Sequence, residues 1–253
     1  MDEQMKQNRA FLKCPDMGAM RENQTHQRQG LQQPPLEKVI GGEVIELPGF
    51  EDILVNPGYF DLLDKRRSER VFSDVPVTQQ QLAFMLWSTQ GVQSIRGERY
   101  AGLRPVPSGG ARHPFELYIM VKNVGGLEPG LYHYLPFNHV GEKLCAIEFV
   151  AAIAEFDETL EKMLVGQKWG IKAAFTLFFT CLPYRAEWRY SVSAHRVILI
   201  DLGHAGQNVM LSATALGLGS CCLAAFDNVI CDEVFGIDGE NEYTVYAIPV
   251  GAL

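Results

Sequence analysis

A chain of 253 residues, 47% hydrophobic and 21% charged, is long enough to bury a sizeable core without disulfide or metal support, and reads as one domain behind an N-terminal extension. Its net charge of -8, with no basic run of five or more residues, argues against a nucleic-acid or anionic-membrane surface and for a small-molecule partner. The polar, acidic N-terminus lacks a signal-peptide pattern and no apolar run approaches the ~18 residues of a membrane span, so the expected location is the cytoplasm.

Residues 1 to about 50 form the expected arm: the first 35 are rich in Gln, Asn, Arg and Met without helix or strand periodicity, and Pro34-Pro35, Gly41-Gly42 and Pro48-Gly49 punctuate an irregular approach. The domain proper spans 51–253. It opens with a short helix from Tyr59 that ends in the basic knot Arg66-Arg67-Ser68-Glu69-Arg70. Guanidinium forks and a hydroxyl this close together suit a phosphate group, and they equally suit an exposed helix end, where cations complement the dipole.

Thr78 with Gln81 three residues later is a capping-box pattern, opening an almost all-round apolar helix that should stop at Gly91 and be buried on several sides. Next comes Arg104-Pro105-Val106-Pro107-Ser108-Gly109-Gly110-Ala111-Arg112-His113-Pro114, a stiff loop whose backbone at Ser108 to Ala111 is free of bulk, so that a flat ligand could approach it. The chain then reads as strands at 117–124, 131–135 and 144–149, with turns at 125–130 and 138–142. A helix over 151–165 and a strand over 173–182 covered on both faces follow.

From Val197 to Leu216 runs a long helix rich in small residues, which let a second helix approach closely. A central dimer helix is the preferred explanation, and a helix packed within one subunit gives the same pattern. A second glycine-lined turn, Leu216-Gly217-Leu218-Gly219-Ser220, and a last strand over 243–249 close the chain. Six cysteines without a C-x-x-C pair read as free thiols, and six histidines in no metal-ligand spacing predict no protein-bound metal. The absence of a β-α-β rhythm favours an α+β fold, with helices around a mostly antiparallel sheet.

Three landmarks in order, Arg66-Arg67-Ser68-x-Arg70, Pro107-Ser108-Gly109-Gly110-Ala111-x-x-Pro114, and Leu216-Gly217-Leu218-Gly219-Ser220 before Ala224-Ala225-Phe226, resemble the FMN-dependent nitroreductase family. The resemblance covers roughly residues 55 to 251 and is closest to the SagB-type dehydrogenase branch, echoed in Trp87 to Val92, Gly130 to Tyr134 and Asp201 to Asn208. It implies an intertwined α+β homodimer with FMN at each subunit interface and NAD(P)H as co-substrate.

By that resemblance Arg66, Arg67, Ser68 and Arg70 would hold the FMN phosphate. Pro107, Ser108, Gly109, Gly110 and Ala111, from the opposite subunit, would lie along the ring. The turn with Gly219, Ser220, Leu223, Ala224 and Ala225 would donate N–H groups near N5 and O4. The implied activity is hydride transfer through flavin N5, in ping-pong order, between NAD(P)H or an organic substrate and an acceptor. A SagB-like dehydrogenase of a peptide or small molecule, or a non-catalytic scaffold subunit, are the alternatives. Azoline-oxidising relatives carry Lys-Tyr where this chain has Arg189-Tyr190; an arginine stays protonated and makes a poor base, while Tyr190 could donate a proton or orient a substrate.

Overall fold

The computed structural model describes residues 25–50, 52–53, 58–98, 100–137 and 143–253. Its centre is a seven-stranded sheet made of β1 (Glu43–Glu46), β4 (Phe115–Val121), β5 (Gly130–Phe137), β6 (Lys143–Ala151), β7 (Phe175–Cys181), β8 (Leu218–Ser220) and β9 (Tyr243–Ala252). The order is β1-β6-β5-β4-β7-β9-β8 with every pairing antiparallel, and a small hairpin of β2 (Ser94–Arg96) and β3 (Ala101–Leu103) lies outside it.

Successive strand residues point to opposite faces, and both faces are covered. Leu117, Ile119 and Val121 of β4 join Leu177 and Phe179 of β7 in the larger core, while Tyr118, Met120 and Phe178 join the second core. Helices α2 (Gln79–Gln90) and α5 (Ala194–Ala215) supply Leu82, Leu86, Ile198 and Val209 to the first face; α3 (Phe156–Met163) and α6 (Asn228–Phe235) supply Leu160 and Phe235 to the second. Burial on both sides is why β7 reads as one unbroken apolar run, and the α+β expectation holds.

Local signals place α2 well. The Thr78 hydroxyl accepts from the Gln81 N–H at 3.1 Å, the Gln81 side chain accepts from the Thr78 N–H at 2.9 Å, and the helix ends at Gly91 as its pattern predicts. Two helices start elsewhere than expected. The helix expected over 151–165 is shorter, because Ala151 still pairs with Leu131 in the sheet and Glu155, in left-handed backbone (φ 46°), delays the first turn to Phe156. Helix α5 starts at Ala194, directly after α4 (Tyr184–Tyr190) and a corner at Ser191.

The approach expected to be irregular contains edge strand β1, paired with β6. A buried charge network anchors it: the Glu148 carboxylate accepts the N–H groups of Ile40, Gly41 and Gly42 at 2.9, 2.8 and 3.1 Å. Glu148 and Glu116 clasp the two ring nitrogens of His133 at 2.8 and 3.1 Å, and Arg185 of α4 donates to Glu116 at 2.5 Å. Residues 1–24 of the expected arm and the 138–142 turn lie outside the described residues. No helix among the described residues is long and apolar enough to cross a membrane.

Candidate functional site

The basic knot follows α1 (Tyr59–Lys65), where the chain runs along the β8–β9 edge. The Glu69 N–H donates to the Ser220 carbonyl at 3.0 Å and the Ser73 N–H to that of Ala252 at 2.9 Å. Phe72 covers Gly251, and a Cβ added at Gly219 would lie 2.9 Å from that of Glu69, so glycine is what lets the two segments touch. The first and third sequence landmarks, about 150 residues apart, thus meet in space.

Within the knot the residues divide. Arg67 turns back to donate to the Asp64 and Arg66 carbonyls at 2.5 and 2.8 Å, satisfying the end of α1, so this arginine takes the helix-end role. Arg66 is half-buried, Ser68 and Arg70 are exposed, and neither Arg66 nor Arg70 has a carboxylate partner among the described residues. The Arg70 guanidinium lies 5.6 Å from the Trp169 ring centroid. Burial raises the Cys222 thiol; a Tyr246 hydrogen bond and the Arg66 charge oppose it, which marks Arg66 as a neighbour of the turn.

In the turn, Gly219 and Ser220 belong to β8 and pair with Gly251 and Val250. The Leu223 N–H is spent on the Ala247 carbonyl at 2.8 Å, which removes it from the set of donors expected here; Ala224 and Ala225 are exposed.

The Pro107–Ala111 loop sits elsewhere on the molecule. Pro107 is exposed and Ser108 to Ala111 are half-buried, with Gly110, Ala111 and His113 all in left-handed backbone (φ 58°, 53° and 43°). A Cβ on Gly109 would come within 2.4 Å of Val197, and one on Gly110 within 2.5 Å of Arg189 and 2.8 Å of the Tyr190 hydroxyl. The lack of bulk, read from the sequence as room for a ligand, is first demanded by the chain's own helices.

Arg189 and Tyr190 are therefore brought to the loop. Arg189 donates to the Tyr100 hydroxyl at 2.5 Å and lies 3.4 Å from the Gln27 side-chain oxygen. Burial opposes its charge, but hydrogen bonding to Tyr190 and the nearness of Tyr100 outweigh that and raise its pKa, so it cannot act as a base. On the loop's far end Arg112 donates to the Gly110 and Tyr100 carbonyls at 2.9 and 2.7 Å and is flanked by the Tyr100 and Trp188 rings.

Asp201 opens one of the motifs that carry the resemblance, which assigns it no role. Its carboxylate accepts from the Ser108 hydroxyl at 2.7 Å and from the Gly109 N–H at 3.0 and 3.2 Å. Five residues on, Gly206 packs against Tyr246 and its carbonyl accepts from Cys222. Five residues turn the helix by about 140°, so the loop and the turn lie on different sides of α5 within one chain.

Polar residues of α5 do serve packing inside the subunit: Asn208 and Ser212 donate to the Ser88 carbonyl and hydroxyl of α2 at 2.8 Å each. Gly203, His204 and Gln207 stay exposed, flanked by exposed Leu199 and Ile200 and by Tyr59, Phe60 and Leu63 of the adjoining α1.

FMN fits these residues on two counts. Arg66 and Arg70, without carboxylate partners among the described residues, flank the segment bonded to Ser220 ahead of exposed Ala224 and Ala225, and the half-buried glycine loop is held by Asp201 and Arg112. Residues 63–252 match the model of the nitroreductase family. The chain is 32% identical over 216 residues to a Methanocaldococcus jannaschii protein named as a nitroreductase, covering 82% of this chain and 95% of that one. It is 33% identical over 149 residues to the trifolitoxin-processing protein TfxB of Rhizobium leguminosarum bv. trifolii, 58% of this chain and 39% of TfxB. The crystal structure of an Anabaena variabilis protein assigned as a nitroreductase superposes with a TM-score of 0.65 at 26% identity, over 83% of this chain and 42% of that one.

Proposed function

We propose that this chain, which belongs to the nitroreductase family and is related to its SagB-type branch, is an FMN-dependent oxidoreductase that moves hydride between NAD(P)H or an organic substrate and an acceptor. The observation that carries the reading is the meeting of Arg66 and Arg70, free of carboxylates among the described residues, with the Gly219–Ala225 turn through the Glu69–Ser220 hydrogen bond.

A bound flavin would supply hydride-transfer chemistry, in ping-pong order, at this site. Arg66, Ser68 and Arg70 would hold its phosphate, and the N–H groups of Ala224 and Ala225 would face the ring edge where charge develops. Arg67, spent on α1, contributes only its charge. Tyr190 accepts from Arg189, which leaves its hydroxyl proton free to be donated to a substrate. The loop and turn occupy different sides of α5, and the exposed apolar face of α1 and α5 offers a surface for a second copy. Together these support a homodimer with each site completed across the interface.

The test is the spectrum of purified protein, then anaerobic addition of NADPH and NADH. A yellow protein bleached by either nucleotide supports the reductase. One bleached by neither favours the substrate dehydrogenase suggested by the processing role in the name of TfxB. A colourless protein that takes up no FMN refutes the flavin reading and leaves a scaffold role. Arg66→Ala with Arg70→Ala should weaken FMN binding by about 3–6 kcal/mol, the value of two charged hydrogen-bonding groups, without unfolding the protein; unchanged affinity refutes the phosphate assignment.

A further inference from the structure

We propose that Asp201 is the positioning residue of this site: its carboxylate, acting through Ser108 and Gly109, holds the Pro107–Ala111 loop in the one backbone shape that a ring lying along it needs. This rests on the flavin reading above. It adds a role for a helix residue that itself touches no ligand.

Residues 110, 111 and 113 all have φ between 43° and 58°. Glycine takes such angles freely, but alanine and histidine each pay of the order of 1 kcal/mol or more, so the shape persists only where its surroundings enforce it. A continuous chain of hydrogen bonds does so. The Ser108 hydroxyl donates to Asp201 at 2.7 Å and accepts the His113 N–H at 3.0 Å, so one carboxylate reaches across the whole strained segment. The same carboxylate takes the Gly109 N–H at 3.0 Å.

Arg112 grips from the opposite end, donating to the Gly110 carbonyl at 2.9 Å. Val197, one turn before Asp201 on α5, closes the space beside Gly109. The loop is thus held by its N–H groups, by a carbonyl and by contact. The Ser108 hydroxyl links Ser108 to His113, and the Asp201 carboxylate fixes that hydroxyl in place.

The chemistry of the group fits the task. Asp201 is 6% exposed and, among the described residues, has no lysine or arginine in ion-pair range. Its charge is answered by the loop's own donors, so a loop that relaxed would leave the carboxylate buried without them. The two are therefore obliged to keep their mutual geometry.

The test compares Asp201→Ala, Asp201→Asn and Ser108→Ala in the full chain, by amide hydrogen exchange without added flavin and by FMN titration. In Asp201→Ala the Gly109 and His113 amides should exchange at least tenfold faster while β4 amides keep their protection, and FMN should bind at least tenfold more weakly. Asp201→Asn, which retains an acceptor oxygen, should restore most of both. Ser108→Ala, which leaves α5 untouched, should release the His113 amide and weaken FMN by a smaller factor, and it carries the test if Asp201→Ala fails to fold.

Unchanged loop protection in Asp201→Ala overturns the clamp. Lost protection with unchanged FMN affinity overturns its role at the site. A wild-type protein that binds no FMN overturns the flavin reading, visibly so because the exchange arm still reports the clamp.

Discussion

Asp201 and Glu116 are both carboxylates shut away from water, yet their surroundings drive them in opposite directions. Glu116 sits between Arg185 and His133: burial alone would raise its pKa, but the two cations hold it at about 2. At Asp201 burial outweighs the Ser108 hydroxyl, the Gly109 N–H and the nearby His204, and its pKa rises. The first arrangement ties four elements and the N-terminal extension into the sheet. The second holds a strained loop with little margin, as befits a segment whose shape, rather than its stability, matters to a ligand.

The largest effect should come from breaking the paired region. His133→Leu leaves Glu116 and Glu148 without the cation between them, and should cost about 3–5 kcal/mol in chemical denaturation; a loss below about 1 kcal/mol would show that the network contributes no more than a surface ion pair.

The same network shapes the pH dependence. Burial opposes protonation of His133, but its two carboxylates prevail and raise its pKa. Its contribution is therefore complete below the ordinary value of 6.5 and is lost as pH rises through the raised one. Glu116 contributes fully above 4.5 and loses that contribution as pH falls toward about 2. Thermal unfolding should show a plateau between these limits, with the alkaline fall removed in His133→Gln; an alkaline limb unchanged in that variant contradicts the assignment.

On the loop side, a pair of glycines separates strain from crowding. Gly217, at φ 70° with open space around it, should lose about 1 kcal/mol on Gly217→Ala. Gly110→Ala adds a collision with Arg189 and Tyr190 and should lose about 2–3 kcal/mol. Equal melting temperatures for the two variants would mean that the loop yields.

The smallest effect should be that of Asp201→Asn on the fold itself. A carboxyl held above its unfolded pKa makes folding less favourable as pH rises through that interval. Removing the charge should leave the melting temperature at neutral pH unchanged or slightly higher; a clear drop would place Asp201 with the stabilising carboxylates.

Much of this molecule was legible residue by residue. The Thr78–Gln81 capping box, the stop at Gly91 and the apolar run at 173–182 are short-range patterns with short-range causes. Order and spacing of the three landmarks were enough to place the chain in its family.

What the sequence could not carry is which distant groups meet. Ser108 and Asp201 lie 93 positions apart and nothing local to either announces the other. Glu116 and Glu148 sit in strands where alternation assigns a carboxylate to water, and only the sheet register sets both against His133. Arg67 looks like its neighbours in sequence, and the end of α1 alone decides that it serves the helix. Local propensity reports the backbone's preferences over a few residues, whereas a buried charge is tolerated only where its partner arrives, and that is a property of the assembled fold.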